Sequence, residues 1–349
     1  MQSLESRLDL QCPIIQAPMA GTASPALAAA VSNAGGLGSI SIAAVNSEAG
    51  RRMIRELRGL TERSFNVNVF CHRPSVIDVN LQSGWLEYLA PWFAEFGVPQ
   101  PPAIEDIYTS FCDGNAQLQV LLEERPAVVS FHLGLPPDGH IQALRAAGIL
   151  LLASATSISE GLAAQSAGVD WVVAQGIEAG GHRGIFDPHV ADHQLGTLAL
   201  VQQLTAALDV PVIAAGGLMN GGDIRTALAS GASAAQLGTA FILCPESAAN
   251  AAYRKMLGSR RAADTTLTQV ISGRPARGIV NRFTREVGAP GHPQVPGFGI
   301  AYDAGKQLIA AAANVGNPEF AAHWAGQGAL QARELPAAQL LALLRREME

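Results

Sequence analysis

The segment VPVIAAGGLMNGGDIRTALASGASAAQLGTAF, residues 210–241, decides the fold. It opens on an apolar run, Val210–Gly217, and closes on another, Ala234–Phe241, with a helical stretch at Asp223–Ser230 between them. Continuous apolar runs joined through a helix read as parallel strands buried on both faces. Six similar runs precede this unit: Pro13–Met19, Gly38–Ile42, Ser64–Phe70, Ala127–Gly134, Ile149–Ala155 and Trp171–Gly176. Ala/Leu-rich helical stretches follow most of them, as at Pro25–Asn33, Gly139–Ala147 and Ser159–Ala167. Eight strand–helix units running one way predict an α/β fold of the (β/α)8 TIM-barrel type. An open doubly wound sheet fits less well, because it places its glycine fingerprint in the first turn.

Composition supports one large core. Of the 349 residues, 48% are hydrophobic and only 15% charged, with 36 glycines. Such a chain is not disordered, and its backbone is suited to close approach to a ligand. The net charge of −6 (23 basic against 29 acidic residues) includes no long basic run, so nucleic acid and anionic membrane surfaces are poor partners. No apolar stretch is long enough to span a bilayer. Glu5, Arg7 and Asp9 interrupt the N-terminus where a secretory leader needs an apolar centre. Cys12, Cys71, Cys112 and Cys244 are scattered without CxxC spacing, which reads as reduced thiols in a cytoplasmic protein.

Two segments exceed the repeat. Residues 71–114 separate the third run from its helix and contain Trp85, Trp92 and several prolines. The chain after the eighth run contains a β-like TTLTQVI (265–271) and a turn-rich GAPGHPQVPG (288–297). Loops of this length usually carry their own structure and often cover a site. The expected division is therefore a barrel from 1–70 and 115–244, a small lid or substrate subdomain from 71–114 and 245–300, and C-terminal helices, 301–349, packing on the barrel.

The seventh and eighth runs end in the glycine turns AAGGL (214–218) and QLGTAF (236–241). In barrels the loops after these strands commonly bind phosphate, because glycine lets backbone N–H groups approach the anion; capping of the strands is the bland alternative. QGIEAGGHRG (175–184) follows the sixth strand, where Gln175 could bond a flat heteroaromatic ring and Gly180 and Gly181 allow close approach. QAPMAG (16–21) offers small residues to floor such a ring. Asn66 and Asn68 in FNVNV (65–69) share one strand face and need partners, from a cofactor or from a neighbouring loop. His132 lies at the end of the fourth strand, where barrel active sites sit, with His182 as its rival. His189 and His193 have metal-like spacing but lie beside Asp187–Pro188 in a loop, with no third ligand, so no metal site is expected. Tyr302 and Lys306 fall on one helix face, either solvated or set to bind an anion.

Taken together, QAPMAG, FNVN, SFHLG (130–134), QGIEAGGHRG, AAGG (214–217) and QLGTAF resemble the nitronate monooxygenases, from about Pro13 to Lys306. The SFH triplet (130–132), with Tyr108, Tyr253, Tyr302 and Lys306, is similar to their class I branch. The resemblance implies an FMN-dependent TIM barrel that oxidises alkyl nitronates, such as propionate 3-nitronate, with O2 through a flavosemiquinone, giving a carbonyl compound and nitrite. It implies FMN contacts at Met19, Asn68, Gln175, Gly180, Gly217, Gln236, Leu237, Gly238 and Thr239, with His132 as the catalytic histidine. The anion would be placed by Tyr108, Tyr253, Tyr302 and Lys306, with His182 nearby. Phe298 stands where the family pattern has a further pocket tyrosine. The alternatives are an NAD(P)H-dependent flavin reductase of the same superfamily, in which His182 is the more prominent histidine, a flavin-free phosphate-binding barrel, and a barrel that only binds.

Overall fold

A computed structural model describes residues 3–349; the first two residues of the expected 1–70 barrel segment, and of the N-terminus read against a leader, lie outside the described residues. The strands are β1 (Ile14–Gln16), β2 (Gly38–Ser41), β3 (Phe65–Phe70), β4 (Val128–His132), β5 (Leu150–Ala155), β6 (Trp171–Gln175), β7 (Gly181–His182), β8 (Val212–Ala215), β9 (Ala234–Leu237), β10 (Thr265–Thr268) and β11 (Ala276–Ile279). Eight of them form one parallel sheet in the order β1-β9-β8-β6-β5-β4-β3-β2. The sheet closes on itself where Leu37 N donates to Ile14 O (3.0 Å) and Gln16 N to Leu37 O (2.9 Å). The molecule is thus a TIM barrel, as the apolar runs imply.

The runs are longer than the strands, and the first and last show why. The first reaches only Gln16, because Pro18 lacks an N–H for the ladder. The last stops at Leu237, and Thr239–Phe241 turns into a 3-10 helix. Those residues stay apolar because they remain buried next to the barrel mouth, and apolarity alone does not separate strand from wall. The opposite end is plugged by the short helix Leu4–Leu8, whose Leu4 and Leu8 pack with Ile15, Leu152, Trp171 and Ile213. No helix among the described residues is long and apolar enough to cross a membrane.

A second core lies beside the barrel. The first insertion contains the helix Val79–Glu95, continuous through Pro91, whose Trp85, Leu89 and Phe93 meet Val270, Ile271 and Phe283 from the second. β10 and β11 pair antiparallel, and β11 pairs with β7 from the loop after β6, so the small sheet is tied to the barrel mouth. The expected grouping of 301–349 as helices on the barrel needs correction. The helix Ile300–Asn314 places Ile300, Ala304 and Leu308 in the second core, whereas Ala337–Met348 packs Leu340, Leu341 and Leu344 against the barrel. Helical periodicity showed an apolar face in each but not which core would receive it.

Trp85 is fully buried at the centre of this second core. Trp85→Ala should cost about 3–5 kcal/mol, from lost transfer energy and the cavity left behind. A urea titration would register this as an earlier midpoint, and an unchanged midpoint would contradict the packing described.

Candidate active site

A cavity of about 540 Å³ opens at the C-terminal ends of the barrel strands. That size suits a cofactor or substrate of moderate size. Its wall contains Met19, Asn68, Gln175, Gly180, Gly217 and the Gln236–Thr239 turn. His132 and His182 also line it, as do Tyr108, Tyr253, Tyr302 and Lys306. One mouth therefore gathers every contact residue that the resemblance implies, whereas Asn66 lies outside the wall, fully buried. Phe298 is buried behind that wall, stacked on Tyr108 with ring centroids 5.4 Å apart.

The glycine turns are shaped by sterics. Gly216 and Gly217 have φ of +127° and +72°, a region that L side chains avoid. A Cβ at Gly216 would meet Thr197 Oγ1 at 2.7 Å, and one at Gly180 would meet Gly326 N at 2.5 Å. Glu178 pins this corner, accepting from Thr197 N (2.9 Å) and Thr197 Oγ1 (2.8 Å) at the start of the helix Thr197–Ala207. The backbone N–H groups of Gly217, Leu218 and Gly238 have no acceptor among the described residues. Unused amides on two adjacent glycine turns are the donor set that a phosphate group requires.

The polar side chains of the barrel interior are largely satisfied by the protein. Asn68 accepts from Ser41 Oγ (3.1 Å) and donates to Ser130 O (3.0 Å), while Asn66 donates to Ser39 Oγ (3.2 Å) and Ser130 Oγ (3.0 Å). Gln175 spends its amide on the loop that follows it: Nε2 donates to His182 O (3.0 Å) and Oε1 accepts from Gly184 N (2.7 Å). Gln175 thereby holds His182 and the β7 backbone over the mouth.

His132 has a defined tautomer. Its Nε2 lies 3.1 Å from His182 O, which can only accept, so Nε2 carries the hydrogen and Nδ1 accepts from Ser154 Oγ at 2.9 Å. Burial, reinforced by the charges of Arg274 and Arg183, lowers its pKa to about 4. His182 bonds Ser272 Oγ (2.9 Å), and burial with the neighbouring His132, Arg274 and His72 lowers it to about 3. Both rings are neutral at physiological pH. His323, buried against Tyr253, is lowered to about 4 by the same desolvation.

These depressed values have a stability consequence. Below about pH 6.5 an unfolded chain protonates its histidines while these three stay neutral, so the unfolded state binds more protons. The contribution is complete above pH 6.5 and is lost as pH falls toward 4, at about 1.4 kcal/mol per pH unit for each histidine. Thermal melts between pH 7.5 and pH 4.5 should show Tm falling before the carboxylates titrate. A flat profile across that window would be incompatible with neutral buried rings.

Lys306 reaches the cavity from the helix Ile300–Asn314. Its Nζ lies 4.7 Å from the Tyr108 ring centroid and 5.3 Å from that of Tyr302, a cation–π cradle. It forms no salt bridge among the described residues. Burial lowers its pKa, opposed by Asp303. Tyr253 donates to Trp324 O, and Trp324 Nε1 donates to Tyr302 Oη (3.3 Å). Trp324, whose ring centroid is 5.4 Å from that of His182, is a wall residue that the sequence reading missed. Ser154 was missed too, although a lone serine in the apolar run LLLASA (150–155) is the kind of signal that marks an inward polar group.

A nitronate monooxygenase family model matches residues 2–347. A nitronate monooxygenase of Pseudomonas aeruginosa is 57% identical over 98% of this chain and 97% of its own. One from Paraburkholderia phytofirmans is 54% identical over 98% of this chain and 93% of its own. Among solved structures, a nitroalkane oxidase from Streptomyces ansochromogenes superposes with a TM-score of 0.89 at 40% identity, covering 99% of this chain and 98% of that one.

Proposed function

The chain belongs to the nitronate monooxygenase family and is a flavin-dependent oxidoreductase, and from that premise we propose that it binds FMN in the barrel mouth and oxidises alkyl nitronates with O2 to a carbonyl compound and nitrite. The observation that carries this reading is the presence, in one cavity, of glycine-turn amides and an ammonium that have no acceptor and no carboxylate partner among the described residues. The first fits the phosphate of FMN, and the second an anionic substrate. Gly217, Leu218 and Gly238 would take the phosphate through N–H groups, with Met19, Asn68, Gln175, Gly180, Gln236, Leu237 and Thr239 around the rest of the cofactor. Bound FMN supplies the electron acceptor and the O2 chemistry; the chain supplies placement and charge.

His132 would give its Nε2 hydrogen to a nitronate oxygen. Turning that donor from His182 O to substrate leaves the carbonyl bonded, because Gln175 Nε2 also donates to it. The neutral ring is a poor base, lowered to about 4, so deprotonation of a neutral nitroalkane is disfavoured. The site is therefore matched to substrates that arrive already ionised. Lys306 would attract a distal carboxylate, and Tyr108, Tyr253 and Tyr302 orient and screen it. Phe298 gives the pocket no hydroxyl at its position.

The purified protein should be yellow, release FMN on heating and consume O2 with propionate 3-nitronate. Colourless protein, or a flavin bleached faster by anaerobic NADH than by nitronate, would overturn the reading. Lys306→Met should raise KM for propionate 3-nitronate by about 10–100-fold, the loss of one charge-assisted contact, while changing KM little for an uncharged-tail alkyl nitronate. Equal effects on the two substrates would remove Lys306 from carboxylate recognition.

A further inference from the structure

Outside the cavity, a pair of cysteines lies at the neck of the first insertion. Cys71 is the residue after β3, where the chain leaves the barrel, and Cys112 lies where it returns ahead of the helix Ala116–Glu124. The two crossings are held side by side at Phe70 O, which accepts from Phe111 N (2.8 Å) and from Ser110 Oγ (3.5 Å). The two side chains flank that crossing, and each thiol perturbs the ionisation of the other. They differ in exposure, since Cys71 is buried and Cys112 half-buried, its Sγ donating to Leu135 O at 3.6 Å. Neither lines the cavity, and Cys12 and Cys244 are buried elsewhere.

We propose that Cys71 and Cys112 are a peroxide-reactive dithiol site, with Cys112 the attacking and Cys71 the resolving thiol, which closes to an intramolecular disulfide across the insertion neck. The oxidant is hydrogen peroxide. The Cys112 thiolate attacks one peroxide oxygen; an S–O bond forms, the O–O bond breaks and hydroxide leaves, oxidising Cys112 to a sulfenic acid. Cys71 sulfur then attacks Cys112 sulfur; the S–S bond forms, the S–O bond breaks, and water leaves with the Cys71 proton. Two thiols and one peroxide become one disulfide and two waters.

Asymmetry between the sulfurs supports this order. The Cys71 thiol and the Ser110 hydroxyl stabilise the charged form of Cys112 and hold it down to about 7, whereas burial pushes Cys71 well up. A half-buried thiolate beside a thiol is the arrangement that reacts and is then resolved. The bond would tie the neck that carries Tyr108, whose carbonyl is bonded by His72 Nε2 (3.3 Å).

The test treats reduced holoenzyme with stoichiometric hydrogen peroxide and counts thiols after denaturation. The count should fall from the four free cysteines to two, a peptide map should link Cys71 to Cys112 within one chain, and dithiothreitol should reverse both. Cys71→Ala should leave Cys112 as a dimedone-reactive sulfenic acid, and Cys112→Ser should slow peroxide-driven thiol loss at least tenfold. Retention of four thiols, a link between chains or to Cys12 or Cys244, or oxidation of Cys112 to sulfinic acid without a cross-link would each overturn it. Where Cys71→Ala fails to fold, the wild-type peptide map decides alone.

Discussion

Replacing His132 with asparagine should lower kcat/KM for propionate 3-nitronate by about 10²–10³-fold, the usual loss when a donor aimed at a reacting anion is removed. Asparagine suits the test because its amide reaches about as far as the imidazole Nδ1. It can keep a bond to Ser154 Oγ, 2.9 Å from Nδ1 in the wild type, while nothing takes the place of Nε2–H. His182 O stays satisfied by Gln175, so the β7 backbone over the mouth keeps its anchor. Flavin should accordingly remain bound, since the amides proposed for its phosphate are on the turns after β8 and β9. Visible absorbance per chain checks retention, and O2 uptake measures the loss. Turnover equal to wild type with flavin present would exclude His132 from the chemistry. The pH profile adds a second reading: a neutral donor with a pKa near 4 gives kcat no histidine limb between pH 5 and 8.

Most of the barrel was legible in the sequence for a physical reason. A strand covered on both faces must be apolar throughout, so the eight runs stood out without an alignment, and the turn after β8 stood out because φ of +72° and +127° at Gly217 and Gly216 favours glycine. What was not legible depends on long-range encounters. β7 is two residues long and has no periodicity to detect; its existence follows from pairing with Ala276 and Arg277. The Val79–Glu95 helix was masked by Pro91 and two tryptophans, and its stability comes from Val270, Ile271 and Phe283, far along the chain. Trp324 reaches the site from an isolated antiparallel bridge to Gly278, far back along the chain, so no local pattern marks it. The tautomer of His132 was likewise invisible, because it is set by a backbone carbonyl from β7 and a serine from β5.

Gly217→Val tests the other side of the cavity, and its expected effect is loss of FMN binding, with Kd raised at least about 100-fold. Two costs combine. A β-branched residue at φ of +72° is strained by more than the 1–2 kcal/mol of an ordinary side chain, and its Cβ would lie 3.0 Å from Glu178 Cβ. The turn relieves both by rotating, which redirects the Gly217 and Leu218 amides. Each donor lost to a charged phosphate is worth about 1.5–3 kcal/mol, so losing one or two accounts for a hundredfold change. Gly217→Asn separates the causes, since asparagine tolerates the left-handed region and should keep the amides aimed and most of the affinity. Flavin fluorescence titration gives Kd, and far-UV circular dichroism checks that the barrel persists. If the valine variant folds and binds FMN as tightly as wild type, the phosphate is held elsewhere and the assignment of the β8 turn fails. If both variants lose FMN equally, bulk at Gly217 decides the outcome, and the backbone orientation argued here is wrong.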